Sequence, residues 1–456
     1  MTNSTIQEFK NLLFQKASQY GFSDCEIYYS TDKELQISIF KADLEQFENS
    51  TSGGVSFRGL FNDKMGYAYS EKIDVSIIDT LLENAKQNAK IISDDEKEEI
   101  FGGSESYSKP KTFFDEIDKI EVDTMIAKGL EIEKYILEYD PKIIACNDCA
   151  LIKSSSQMFL SNSKGLDLST QKNYFIVYAS CLAKKDPNNQ EDQNIKNDHE
   201  IKIFFDVNDL NTKEFAETVA TKTLSYLDAS SIKSQDYNIV FSGDAFSSLL
   251  SCFVSNFFAE NVQKGFSLLK GKLNTQIASD KITILDEPLL EKTVRCTGFD
   301  SEGVACFNKE VVRNGELKTY LYNLKSAKKD GVSSTGNGFK AGYKGKVSTA
   351  SANFYIKNGE ISLDDLFKQV GDGVFLTELS GLHSGVNHIS GDFSLLTKGF
   401  VIKDGKKGAP VEQITISGNF FDVFKNIQEV SSDLKFKMSG VSSPSVFAGK
   451  LTVSGE

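Results

Sequence analysis

Long apolar runs are the first thing this chain lacks. Its opening residues, MTNSTIQEFKNLLFQKASQYG, alternate polar and apolar, so they fit neither a signal peptide nor a membrane anchor, and a cytoplasmic protein is expected. Cysteine is sparse and odd in number, seven in 456 residues, which suits a reducing compartment and argues against a disulfide framework. Basic charge is in deficit: 51 Lys and Arg stand against 64 Asp and Glu, a formal charge of -13. With no basic patch along the sequence, nucleic acid is not an expected partner. A chain of this length can bury large cores in two or three domains without metals or disulfides.

Imidazole is missing where it would matter most. The stretch Tyr237 to Leu269 (YNIVFSGDAFSSLLSCFVSNFFAENVQKGFSLL) reads as a buried strand, a Ser-Gly-Asp turn and one long helix. Phe246, Leu249, Leu250, Phe253, Val254, Phe257 and Phe258 recur at helical spacings and predict a buried face. Zinc chemistry there would need imidazoles about one turn apart beside a carboxylate. The helix offers only Cys252 and Glu260, which read as a core thiol and a solvated carboxylate.

What is present points to an α+β protein in three parts. Residues 1–100 open with a helix bearing Ile6, Phe9, Leu13, Ala17 and Tyr20, started by a Ser4/Gln7 capping box. Short alternating runs follow (Cys25–Ser30, Glu34–Phe40, Gly54–Leu60, Met65–Tyr69) and predict an antiparallel sheet with a turn at Asn62-Asp63. Asp74 caps a second helix with a face of Ile78, Leu81, Leu82, Ala85, Ala89 and Ile92. Residues 110–232 read as a middle α+β unit with a helix over Val122–Tyr139 and strands at Ile143–Ile152, Gln157–Ser161 and Tyr174–Ala183. The Asn-rich stretch Lys184–His199 reads as a loop with His199 exposed, and the Cys146/Cys149 pair as two strand cysteines. Residues 236–456 are mostly antiparallel strand, punctuated by Asn314-Gly315, Asn358-Gly359 and Asp404-Gly405, with one short helix capped by Ser362.

Three runs carry a resemblance: GFDSEGVACFNKEVVRNGELKTYLYNLKSAKKDGVSSTGNG (Gly298–Gly338), TELSGLHSGVNHISGDFSLLTKGFVIKDGKKGAPVEQITISGN (Thr377–Asn419) and VSSPSVFAGKLTVSG (Val441–Gly455). With weaker agreement upstream, the chain resembles the PmbA/TldD family, formerly called modulators of DNA gyrase. In that family the TldD branch carries a zinc-binding HExxxH on the helix of its third domain, plus a cysteine ligand near the C-terminus, and acts as a peptidase. The helix Ala245–Val262 has no histidine and Ser431–Ser454 no cysteine, so this chain is similar to the TldE/PmbA branch, which lacks both. The resemblance implies no catalytic residue, metal ligand or cofactor in this chain, and zinc in a TldD-like partner. It also implies unfolded peptides as substrates of the pair. A dimer is expected, with that partner or with a second copy.

Other catalytic chemistry finds little support in the residues. His383 and His388 lie in a Gly-rich loop that does not hold them convergent, and Ser301 has no histidine to activate it. STGNG lacks the lysine of a phosphate loop. Asp300 and Glu302 of GFDSEG, with Gly336 and Asn337 of STGNG, are the residues expected to line a peptide-binding cavity. The alternatives are an independently active peptidase with an unrecognised site, or a regulator that binds another protein.

Overall fold

The computed structural model describes residues 3–91, 98–189 and 193–456, and the side chains from residue 6 onward in the first of these. The Ser4 capping box, Ile92 and Gln190–Asp192 of the Asn-rich stretch therefore lie outside the described residues.

The first two units share one sheet. Strands Lys64–Ser70, Asp43–Phe61, Cys25–Phe40, Ile143–Asn162, Asp167–Lys184 and Ile195–Phe204 pair antiparallel in that order. Cys25–Phe40 is the seam, and at 16 residues it spans about 50 Å. The two short runs expected on either side of Thr31–Lys33 are one strand, because the polar residues between them lie on an exposed length of sheet that still pairs on both sides. The turn at Asn62-Asp63 forms with both φ positive, as hairpin twist demands.

Side chains two apart on a strand share a face. At one end of the seam, Ile27 and Tyr29 pack with Phe9, Leu13, Leu81 and Leu82 of helices Asn3–Gln19 and Ile78–Ile91. At the other end, Ile37 and Ile39 pack with Met125, Ile132 and Ile136 of helix Val122–Tyr139 and with Phe215 and Val219 of helix Thr212–Leu224. From the first of these middle-unit helices, buried Glu133 accepts the N–H groups of Lys41 and Ala42 at 2.8 and 2.7 Å. That holds a hairpin tip whose two residues both have positive φ.

The opposite face of the same strands carries Glu26, Tyr28, Ser56 and Arg58, all buried. The C-terminal unit covers it, with Tyr28 touching Leu160, Leu166 and Tyr343.

In the C-terminal unit, strands Gln235–Phe241, Gly373–Ser380, Asp392–Lys403, Lys406–Asn419 and Val446–Ser454 close into a ring. The last pairs with both Lys406–Asn419 and Gln235–Phe241. Every pairing in the ring is antiparallel except Val374–Leu376 against Ile239–Phe241. A smaller five-stranded sheet lies beside it, and a shared core of Phe241, Phe246, Phe253, Phe257, Phe354 and Phe420 joins the two. The Asn314-Gly315 and Asp404-Gly405 turns form with positive φ at all four residues.

Two further expectations need correction. The long helix is broken into helix Gly243–Phe253, a 3-10 turn Val254–Phe257 and helix Ala259–Lys264. Phe258 between them is extended, and its neighbours exchange backbone bonds with Leu321: Ala259 donates to it and it donates to Phe257, both at 2.9 Å. Those bonds replace the helix's own ladder at the break. His199 lies not in a loop but on strand Ile195–Phe204, paired opposite Ser180, with its ring 5.6 Å from that of Tyr178.

Candidate functional site

Helix Gly243–Phe253 is two-faced. Ser242 caps it by accepting the Ala245 N–H at 3.1 Å and anchors it by donating to the Thr377 carbonyl at 3.2 Å. Ala245, Phe246, Leu249, Leu250 and Phe253 are buried in the core. The other face, Asp244, Ser247, Ser248, Ser251 and Cys252, floors a cavity of about 1120 Å³ between the middle and C-terminal units. Each hydroxyl on this floor donates back to the carbonyl four residues earlier, Ser248 to Asp244 at 2.9 Å and Ser251 to Ser247 at 2.7 Å. Their oxygen lone pairs remain to accept hydrogen bonds from a ligand.

The walls are charged, and several of the charges are paired. Lys398 of the ring meets Asp198 of the middle unit at 2.9 Å and Glu378 at 2.8 Å, and stands 4.7 Å over the ring of Tyr226. Burial pulls the Lys398 amine down, but the bonds from Glu378 and Asp198 outweigh it and hold the pKa above its ordinary value. Lys222 pairs with Glu200, and Lys437 with Asp244. Burial raises Asp244, yet Lys437 prevails and keeps it below the usual carboxylate range. Tyr226 shares a 2.5 Å bond with the hydroxyl of Thr377, and burial pushes its phenol up to about 12, so it stays protonated. The cavity presents hydroxyls and compensated ion pairs, a lining suited to main-chain amides.

Ser247, Ser248 and Cys252 stand at positions i, i+1 and i+5 of this floor, the spacing of an HExxxH. They do not fit a zinc ion: the hydroxyls are neutral and tied to carbonyls, and burial raises the Cys252 thiol away from thiolate. Among the described residues no group of three or more His, Cys, Asp or Glu is placed to hold a metal.

The four residues expected to touch peptide lie elsewhere, in two loops that the structure does bring together: Ser301 donates its N–H to the Gly338 carbonyl at 2.8 Å. Asp300 is 0% exposed and accepts the N–H groups of Glu302, Val304 and Gly338 at 2.8 to 3.0 Å. Asn337, also 0% exposed, bonds Asp286, Lys309, Thr335 and the Ala350 carbonyl. Gly336, at φ 69, packs against Ala305 and Cys306. All three are enclosed in the wall between the loops: a loop without regular structure must satisfy its buried polar groups through such side chains. Glu302 alone of the four faces a recess, beside Arg58 and Asn323. The residues that floor and wall the larger cavity were not among those expected to touch peptide. The polar stripe 247, 248, 251 and 252 on an otherwise apolar helix was the signal for the floor, whereas Asp198, Tyr226 and Lys398 carry none.

Fold and site first define a class: a three-part α+β chain whose C-terminal unit turns the polar face of a helix toward a cavity. Residues 25–89, 115–227 and 234–455 match, in order, PmbA/TldA metallopeptidase domain 1, the central domain and the C-terminal domain. The chain belongs to the PmbA/TldD family. It is 26% identical to a metalloprotease PmbA homolog of Haemophilus influenzae over 453 residues, 99% of this chain and 96% of the relative. An uncharacterised protein of Methanocaldococcus jannaschii is 28% identical over 445 residues, 96% and 98% of the two chains. Among solved structures, a modulator of DNA gyrase from Thermotoga maritima, titled putative, superposes with a TM-score of 0.90 at 30% identity, covering 98% of this chain and 100% of that one. TldE from Thermococcus kodakarensis superposes at 0.88 with 22% identity, covering 98% and 100%, a likeness of fold.

Proposed function

We propose that this chain is a TldE/PmbA-like subunit of a heteromeric TldD/TldE-type metallopeptidase that acts on unfolded peptides. It supplies one side of the peptide-binding cavity, and a TldD-like partner supplies the zinc. Its domains are taken as 1–100, 110–232 and 236–456, the first two built on one sheet, and its compartment as the cytoplasm. The observation that supports this reading is the cavity floor, where the polar face of helix Gly243–Phe253 carries Ser247, Ser248, Ser251 and Cys252 and no imidazole. Zinc in the partner supplies a bound water of lowered pKa. This chain's part is to orient: floor hydroxyls accept peptide N–H groups, while Lys398 donates to a peptide carbonyl. Such contacts read main chain rather than side chains, which suits a broad range of unfolded sequences.

The test is a time course on an unfolded peptide with this chain alone, the TldD-like chain alone, and both together. The pair should cleave and this chain alone should not. Zinc-independent cleavage by this chain alone, abolished by one substitution in it, overturns the reading.

A further inference from the structure

Strand Ile195–Phe204 ends the first sheet: it pairs with Asp167–Lys184 on one side and, among the described residues, with no strand on the other. The register decides which of its main-chain groups point outward. In an antiparallel sheet one residue directs its N–H and C=O to one neighbouring strand, and the next residue directs them to the other. Asn162 donates to the Leu166 carbonyl at 3.0 Å and Lys184 to the Lys142 carbonyl at 2.8 Å, so the even-numbered residues of Asp167–Lys184 face strand Ile143–Asn162. The odd-numbered ones face Ile195–Phe204, where Ala179 stands opposite Glu200 and Cys181 opposite Asp198. Even-numbered residues of the last strand therefore complete the ladder, and Asn197, His199, Ile201 and Ile203 turn their N–H and C=O groups outward.

That outer edge opens on the large cavity, which Asp198, His199, Glu200 and Ile201 all line. A sheet face would present alternate residues, so four in succession mean that the edge itself is turned to the cavity. Part of the edge is closed. Asp198 accepts the outward N–H of His199 at 2.8 Å, and the Lys398–Asp198 and Lys196–Glu412 ion pairs run from this strand to the C-terminal ring. Beyond His199 it is bare: Ile201 is 42% exposed, and no group among the described residues bonds its N–H or C=O. Edge strands are ordinarily blunted by charge, proline or a bulge, and at Ile201 none of these is present.

We propose that an unfolded peptide docks here in extended form, as a seventh strand of the first sheet, with its main chain bonded to Ile201. The proposal rests on the peptide-handling reading above and names the strand that receives the peptide. An edge offers an N–H and a C=O at every second residue, about 7 Å apart, and an extended peptide offers the matching groups at the same repeat. Every residue except proline carries both, so the pairing reads little sequence. A single extended chain fits beside the ion pairs that cross the cavity. The edge of a second folded molecule would have to displace both of them.

The test is fluorescence anisotropy of a short dye-labelled unstructured peptide on the full chain, with two derivatives that carry the same number of N-methyl groups. In one the methyl groups sit on alternate residues and block a single edge of the extended peptide; in the other they sit on consecutive residues and block both. The first should keep most of the parent's affinity, and the second should lose about tenfold. Ile201→Pro removes an outward N–H that takes no part in the ladder, so the variant should fold and bind the parent peptide about tenfold more weakly. Ile201→Ala, which keeps the N–H, should bind as wild type does. Equal affinity for the two methylated peptides, or wild-type binding by folded Ile201→Pro, overturns the inference and leaves the peptide-handling reading standing. A wild-type dimer that Ile201→Pro dissociates with peptide affinity unchanged assigns the edge to a second copy and overturns it too. No binding of the parent peptide by wild type would remove both readings together.

Discussion

Lys398 of the C-terminal ring reaches Asp198 of the middle unit at 2.9 Å, tying two units together across the roof of the cavity. Both side chains are largely buried, 22% and 12% exposed, so removing the cation strands a carboxylate. Lys398→Met should destabilise the protein by about 2 kcal/mol, read as a lower urea midpoint. The folded pKa of Lys398 is raised from 10.5, so its contribution is complete below that value and lost as pH rises through the higher one. The gap between wild type and variant should therefore hold through neutral pH and close only in strong alkali. A gap that closes near neutrality would show that another group carries the effect.

The thiols report on the cavity. Of seven cysteines six are buried, and Cys252, on the cavity floor, is not. Native protein should label close to one thiol per chain, and Cys252→Ala should abolish that reaction. Burial raises the Cys252 pKa above 9.0, so labelling should be slow at neutral pH and accelerate as pH rises beyond the ordinary thiol range. Unfolded peptide should slow it by occupying the cavity. Equal labelling of all seven thiols would contradict the burial pattern.

Metal content tests the floor directly. Two carbonyl-bonded hydroxyls and a protonated thiol make a poor zinc site, so purified chain should hold well under one zinc. A chelator should leave its melting temperature unchanged, since nothing in the fold then depends on the ion. Stoichiometric zinc by elemental analysis would refute this.

Local signals were legible where a few neighbouring residues decide the outcome. The amphipathic pattern of Val122–Tyr139 gave a helix with those bounds, and Asn314-Gly315 and Asp404-Gly405 gave their turns. Periodicity failed where tertiary partners override it: Phe246 to Phe258 keep helical spacing across a break made by backbone bonds to Leu321, 63 residues after Phe258. The sites were harder still. Asp198, Tyr226 and Lys398 come from three separate stretches, which no local pattern in the sequence joins.

The GFDSEG and STGNG loops provide the sharpest separation between wall and site. Asn337 is enclosed: its amide donates to Asp286 at 2.8 Å and to the Ala350 carbonyl at 2.9 Å, and its oxygen accepts from Lys309 at 3.2 Å and Thr335 at 2.7 Å. The Lys309–Asp286 ion pair it bridges is buried, at 5% and 0% exposure, so its partners cannot turn to water. Asn337→Ala should cost about 3 kcal/mol, because several buried polar groups lose a partner at once. If Asn337 is wall, variant protein that remains folded should bind unfolded peptide as wild type does, and urea denaturation should carry the whole effect. A site residue would behave the other way, with peptide affinity falling at unchanged stability. Measuring both on the same preparation decides the matter, and weakened binding with an unmoved urea midpoint would return Asn337 to the list of ligand contacts.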